Sequence, residues 1–176
     1  MQRNLYIFRH GETNENRDGV RYGTASGGYL TERGITQAHH LSQQLADTPI
    51  DVIYSSPYTR SADTAKIVAQ AHSDAKMIID DRLCEGVYFW WGSDDTDAKQ
   101  KSRETFARVR AAMTDIFRSG YKNIAISSHG GISRAILRYC GHKVGTIKNC
   151  ECFCLTMHDG RWEIDNRIKP PAKSSH

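Results

Sequence analysis

The chain is predicted to fold as a single α/β domain, on three observations. Short apolar runs of strand length alternate with longer stretches whose apolar residues recur at helical spacing. A length of 176 residues, 39% hydrophobic and 25% charged, suits one domain with a substantial core. No linker, internal repeat or low-complexity block interrupts residues 1–168.

The first strand is expected at Leu5–Phe8, an unbroken apolar run. A helix follows, with Thr31 as its N-cap and Ile35, Ala38, Leu41 and Leu45 as its buried stripe. The second strand is Val52–Ser55. The next helix is expected to take Ser56 as its cap and Pro57 as its first residue, where a missing N–H costs nothing. Lys76–Ile79 is the third strand, and a third helix runs through Phe106, Val109, Met113 and Phe117. After a fourth strand, Asn123–Ser127, a fourth helix follows Gly131 and stops at Gly141, a residue suited to the position just past a helix end. A hairpin of Cys150–Met157 and Trp162–Ile168, turned by Asp159-Gly160, completes the domain. Residues 169–176 hold prolines, serines and lysines with nothing to bury, and a disordered tail is expected there.

The formal charge is +4 at pH 7, but basic residues are dispersed among acidic ones. No nucleic-acid partner is therefore expected, whereas a small anionic ligand fits the same charge. No apolar run approaches the length of a membrane helix, and candidate catalytic residues begin at Arg9, so a cytoplasmic protein with no membrane partner is expected. Five cysteines are an odd number, without the secretory context of a disulfide framework. Cys150, Cys152 and Cys154 alternate along one expected strand and share a face. Packing is the expected role, because zinc loops space cysteines by about two to four residues. The histidines other than His10 and His129 recur at no metal-ligand spacing, so neither metal nor cofactor is expected.

In a parallel α/β sheet the ligand site lies just beyond the carboxyl ends of the strands. The first strand runs into Arg9-His10-Gly11, the second into "SSPYTRS" with Arg60, and the fourth into "SSHGGIS" with His129. Two histidines and two arginines thereby meet at one sheet edge, a cluster of cations that calls for an anion. Arg60 falls in the first turn of a helix, where the macrodipole disfavours positive charge, so helix stability does not explain it. Gly130 and Gly131 open the next helix and let a ligand approach backbone N–H groups. Together these residues read as a cradle for the phosphoryl group of a phosphorylated small-molecule substrate.

The segments "RHGETNEN", "LTERGITQA", "IYSSPYTRSADTA", "DRLCE", "SSHGG" and "KNC", in this order, resemble the phosphoglycerate-mutase-like branch of the histidine phosphatase superfamily. The resemblance covers nearly the whole chain. It implies a three-layer αβα sandwich around a mainly parallel six-stranded sheet. It also implies a metal-independent enzyme that hydrolyses phosphomonoesters of small metabolites. His10 would be the nucleophile that takes the phosphoryl group and His129 its partner histidine. Arg9, Asn16, Arg60, His129 and Gly130 would contact the phosphate, and Tyr22 and Gly23 match substrate-contacting positions at the rim. The resemblance assigns the proton donor to Glu85 of "RLCEG"; the residues alone do not separate it from Glu12, which stands closer to the nucleophile in sequence.

Attack requires a neutral imidazole, and Arg9 and Arg60 disfavour protonating His10 before phosphate arrives. Arginines and backbone N–H groups would then stabilise the transferring charge, with Glu85 serving first as acid and then as base. Only "GVYFWWGSDDTDAKQKSR" separates Glu85 from the helix through Phe106, a short connection that favours hydrolysis over mutase-type transfer. Two further readings are a phosphohistidine-protein phosphatase, disfavoured by the L-x-E glutamate, and a non-catalytic phospholigand-binding module, disfavoured by His10 with Glu85. The aromatic run Tyr88 to Trp91 either lines the pocket mouth or packs as a strand or lid.

Overall fold

The computed structural model describes residues 2–19, 28–86 and 96–172. Its six strands are β1 (Asn4–Arg9), β2 (Val52–Ser55), β3 (Lys76–Ile79), β4 (Asn123–Ser128), β5 (Cys152–His158) and β6 (Arg161–Ile168). They form one sheet in the order β3-β2-β4-β1-β5-β6. The first four strands are mutually parallel, and β5 and β6 add an antiparallel hairpin at one side. Asp159 and Gly160 turn that hairpin with φ of 46° and 78°, the left-handed values a tight two-residue turn demands. β5 starts two residues later than expected, because Cys150 leaves the extended region, with φ of 53°.

Strand alternation sorts the core into two layers. Leu5 and Ile7 of β1 join a cluster with Val109, Met113 and Ile116 of α4 (Thr96–Arg118) and with Ile132 and Ile136 of α5 (Gly130–Tyr139). Tyr6 and Phe8 face the opposite side, against Ala38, Leu41 and Leu45 of α2 (Glu32–Leu45) and Ala65 and Val68 of α3 (Thr59–Ala69). The result is a three-layer αβα sandwich. A one-turn helix α1 (Asn14–Arg17) and a single 3-10 turn at Asp81–Leu83 were not expected from periodicity. Cys150, Cys152 and Cys154 lie on the α2–α3 side of the sheet, in or against its core cluster. Among the described residues no helix is long and apolar enough to cross a membrane.

Two helix expectations need correction. Ile35 is 41% exposed, because the buried stripe of α2 runs through Gly34, Ala38, Leu41 and Leu45 and leaves Ile35 to one side. Ser56 does not cap α3: the helix starts at Thr59 with Tyr58 as its N-cap, and Pro57 lies ahead of it. Thr31 caps α2 as expected, accepting the Gly34 N–H at 3.0 Å, and Gly141 follows α5 at φ 93°.

The connections after β1 and β2 carry α2 and α3 to one face, and those after β3 and β4 carry α4 and α5 to the other. β1 and β4 are neighbours whose following helices lie on opposite faces, so their carboxyl ends flank the switch point where such sheets hold ligands. His10 follows β1 and His129 follows β4.

Candidate active site

The segment that carries His10 is fastened on three sides. The His10 N–H donates to Ser128 O at 2.9 Å, continuing the β1–β4 ladder one residue beyond the end of β1. On the α2–α3 side, Gly11 N–H donates to Thr64 Oγ1 (3.0 Å) and Glu12 N–H to Gln37 Oε1 (2.9 Å). Here the start of α2 lies against the loop itself. A Cβ on Gly34 would stand 2.1 Å from Glu12 O, and one on Gly11 2.5 Å from Gly34 O, so neither position has room for a side chain. On the β5 side, Cys150 N–H donates to Arg9 O at 3.0 Å and Asn149 Nδ2 to His10 O at 3.1 Å.

His10 is only 2% exposed. Its Nδ1 lies 2.7 Å from Gly11 O, and because a carbonyl only accepts, that nitrogen carries the proton. Nε2 is left with its lone pair, the form needed for attack on phosphorus. Burial, then Arg9 and Arg60, push the His10 pKa well below 6.5, outweighing the Gly11 hydrogen bond that opposes them. The ring is therefore neutral before any ligand arrives. His129 lies edge-on to it, with ring centroids 5.2 Å apart. Burial pushes His129 well below 6.5 too, with help from His10, Arg60, Arg9 and Arg108. Its Nε2 meets Ser56 Oγ at 2.9 Å.

Arg60, 1% exposed in the first turn of α3, is held beneath Tyr58, whose ring centroid lies 5.0 Å from the guanidinium carbon. Arg9 donates to Ile147 O at 2.9 Å. Desolvation lowers its pKa, with Arg134 and Arg60 adding to the effect and Glu85 opposing it. Such a concentration of buried cations is costly unless an anion compensates it.

Glu85 is brought to this group by backbone contacts. Ser128 Oγ donates to Leu83 O (2.8 Å), Arg108 donates to Arg82 O (2.9 Å) and to Glu85 O (3.4 Å), and the segment passes over the start of α5. Gly131 makes that passage possible, since a Cβ there would stand 2.3 Å from Gly86 O and 2.8 Å from Glu85 Oε1. Burial raises the Glu85 pKa above 4.5, even though hydrogen bonds from Gly86 and Gly131 N–H and the fields of Arg9 and Arg60 pull it down. The site thus pairs a neutral imidazole with a carboxyl whose pKa burial raises.

The family model of the histidine phosphatase superfamily (branch 1) matches residues 5–104. The chain belongs to this superfamily. "Putative phosphoserine phosphatase 2" of Hydrogenobacter thermophilus is 31% identical over 156 residues, covering 76% of each chain. Among solved structures, the chain resembles mycobacterial glucosyl-3-phosphoglycerate phosphatase with VO3, at a TM-score of 0.77 and 23% identity, over 93% of this chain and 98% of that one. It also resembles a Bacillus anthracis phosphoglycerate mutase, at a TM-score of 0.75 and 20% identity over 93% and 92%. These two likenesses support the mainly parallel, phosphoglycerate-mutase-like fold.

Within this histidine phosphatase fold, the candidates named from sequence separate clearly. His10, Arg9, Arg60, His129 and Glu85 are brought together around one point at the carboxyl edge. Gly130 opens α5 beside the Arg9 side chain, which would lie 3.8 Å from a Cβ there. Asn16 belongs to α1, where its side-chain oxygen accepts from Asn149 Nδ2 at 2.8 Å and from Thr13 N–H at 3.4 Å. Glu12 is turned to α2 instead: Thr31 Oγ1 donates to it at 3.1 Å and Arg33 lies 3.6 Å away. Tyr22, Gly23 and the aromatic run Tyr88 to Trp91 lie outside the described residues. Sequence reasoning gave no role to Asn149, which ties Asn16 to the His10 loop; its place within "KNC" was the one available signal. It also missed Ser56 and Tyr58 as neighbours of His129. Among the described residues no group of three His, Cys, Asp or Glu side chains gathers as for a metal ion.

Proposed function

We propose that this protein is a metal-independent phosphatase that hydrolyses phosphomonoesters of small metabolites through a phosphohistidine on His10. One observation carries the reading: a buried, neutral His10, with Nδ1 committed to Gly11 O, sits among Arg9, Arg60 and His129 beside the Glu85 carboxyl, whose pKa burial raises. The phosphate dianion supplies the charge that the guanidinium groups lack. His10 Nε2 attacks phosphorus, the P–O bond to the alcohol breaks, and Glu85 gives its proton to the departing oxygen. Arg9, Arg60 and the N–H groups at the start of α5 stabilise the equatorial oxygens during transfer. Water then attacks the phosphohistidine, the Glu85 carboxylate takes its proton, and phosphate leaves with His10 regenerated.

Relatives carry the names of both small-metabolite phosphatases and mutases, so the deciding experiment must separate water from a second hydroxyl as acceptor. Purified protein is incubated with a panel of phosphorylated metabolites, with and without chelator. Release of inorganic phosphate that survives chelation and disappears in His10→Ala is the expected result. Isomerised 3-phosphoglycerate without phosphate release would instead make it a mutase.

A further inference from the structure

We propose that Ser56 sets the tautomer of His129, making that histidine a hydrogen-bond donor to the transferring phosphoryl group. The proposal rests on the phosphatase reading of the site. His129 is wholly buried; its Nε2 lies 2.9 Å from Ser56 Oγ, and its Nδ1 has no partner among the described residues. Ser56 is equally buried, and its oxygen already accepts the Tyr58 N–H at 3.3 Å.

A neutral imidazole carries one proton, and the two placements differ in what they leave unsatisfied. With the proton on Nε2, this N–H and the Tyr58 N–H both aim at Ser56 Oγ. The serine proton then has no acceptor among the described residues, and Nδ1 presents a bare lone pair to the anion. With the proton on Nδ1, Ser56 accepts from Tyr58 and donates to Nε2, and Nδ1–H remains as one donor for a phosphoryl oxygen. Only the second arrangement satisfies every group once phosphate is bound. Burial and the surrounding cations keep the ring neutral, so the tautomer decides whether His129 donates or repels. The Tyr58 ring, 5.2 Å from that of His129, helps hold the imidazole in place. Ser56 thus does for the second histidine what the Gly11 carbonyl does for His10, with the opposite polarity. It is a positioning residue, and its use here explains why the hydroxyl is not spent capping α3.

The tautomer can be read directly. Long-range proton–nitrogen spectra of the neutral protein, with His129→Asn to assign the signal, are expected to show His129 protonated on Nδ1. Ser56→Ala is expected to move that proton toward Nε2. It should also weaken vanadate binding and lower kcat for p-nitrophenyl phosphate by about tenfold to a hundredfold with little change in KM, the scale of losing a partner that orients a functional histidine. Ser56→Thr keeps the hydroxyl and is expected to restore the Nδ1 proton. Wild-type His129 protonated on Nε2, or an Nδ1 proton that persists in folded Ser56→Ala, overturns the proposal. If Ser56→Ala does not fold, the wild-type spectrum alone decides. Absence of phosphatase activity alongside the expected tautomer would overturn the functional reading while leaving the role of Ser56 standing.

Discussion

The two ends of the parallel strands are built on opposite rules. At the amino end, polar side chains join across the sheet: Asn4 Nδ2 donates to Asn123 Oδ1 at 2.7 Å, and Asn123 Nδ2 donates to Asp51 Oδ1 at 3.2 Å. Asp51 Oδ2 accepts the backbone N–H groups of Lys122 and Asn123 at 2.9 and 2.8 Å. Thr156 Oγ1 lies within hydrogen-bond reach of Asn4 Oδ1, at 3.1 Å, and of Asp165. At the carboxyl end, Arg9 Nε and His129 Nδ1 are buried without partners among the described residues. The first end is complete without a ligand. The second concentrates desolvated donors that a phosphoryl group would satisfy, which is how binding energy becomes available for catalysis.

Changes at the carboxyl end should therefore cost turnover, and changes at the amino end stability. The largest effect is expected for His10→Ala, which should abolish an acid-labile phosphoenzyme and lower turnover by about four orders of magnitude or more. Label retained on another residue after peptide mapping would break the assignment. Next comes Glu85→Gln, expected to slow alkyl phosphates by up to about four orders of magnitude. p-Nitrophenyl phosphate should suffer less, because its leaving oxygen hardly needs a proton. Equal losses on both substrates would remove Glu85 from the role of acid.

The pH dependence follows from the same groups. Activity should fall as pH rises through the raised Glu85 pKa, while neutral His10 keeps attack possible under mildly acidic conditions. A carboxyl raised in the folded state contributes stability below its ordinary value near 4.5, and this is lost as pH climbs through the folded value. Glu85→Gln removes that loss. Denaturant titrations over a pH series should therefore show the variant gaining on the wild type as pH rises above 4.5.

Arg60→Ala should lower kcat by about two to three orders of magnitude, the scale of one aimed transition-state donor. Arg60→Lys should recover little, since an ammonium lacks the two-pronged grip. Near-normal turnover in Arg60→Ala would remove that side chain from the cradle. The smallest effect on turnover is expected at the other end of the sheet. Asp51→Ala leaves backbone donors without their acceptor and should cost about 1–3 kcal/mol of stability by denaturant unfolding, with kcat of the folded fraction unchanged.

The contrast also governs what could be read from the sequence. The carboxyl edge was legible because arginine, histidine and glycine directly after apolar runs are costly there without a ligand, and each strand announces its own end. The amino-edge network was not: Asn4, Asp51, Asn123 and Thr156 are ordinary polar residues far apart in the chain, joined only by the register of the sheet. Glu85 stood out through the family resemblance alone, since its distinguishing property is burial against α5. The Ser56 expectation failed because a local rule, Ser-Pro at a helix start, lost to a contact made 73 residues away with His129. Ile35 failed similarly, through a stripe phased by the close seating of Gly34 on the loop that carries His10.

That seating joins peptide plane to peptide plane at Gly11 and Gly34. A joint between side chains has rotamers to explore, and warming fills them; a joint between two main chains has none. The main chain that carries His10 therefore has little room to shift against the start of α2.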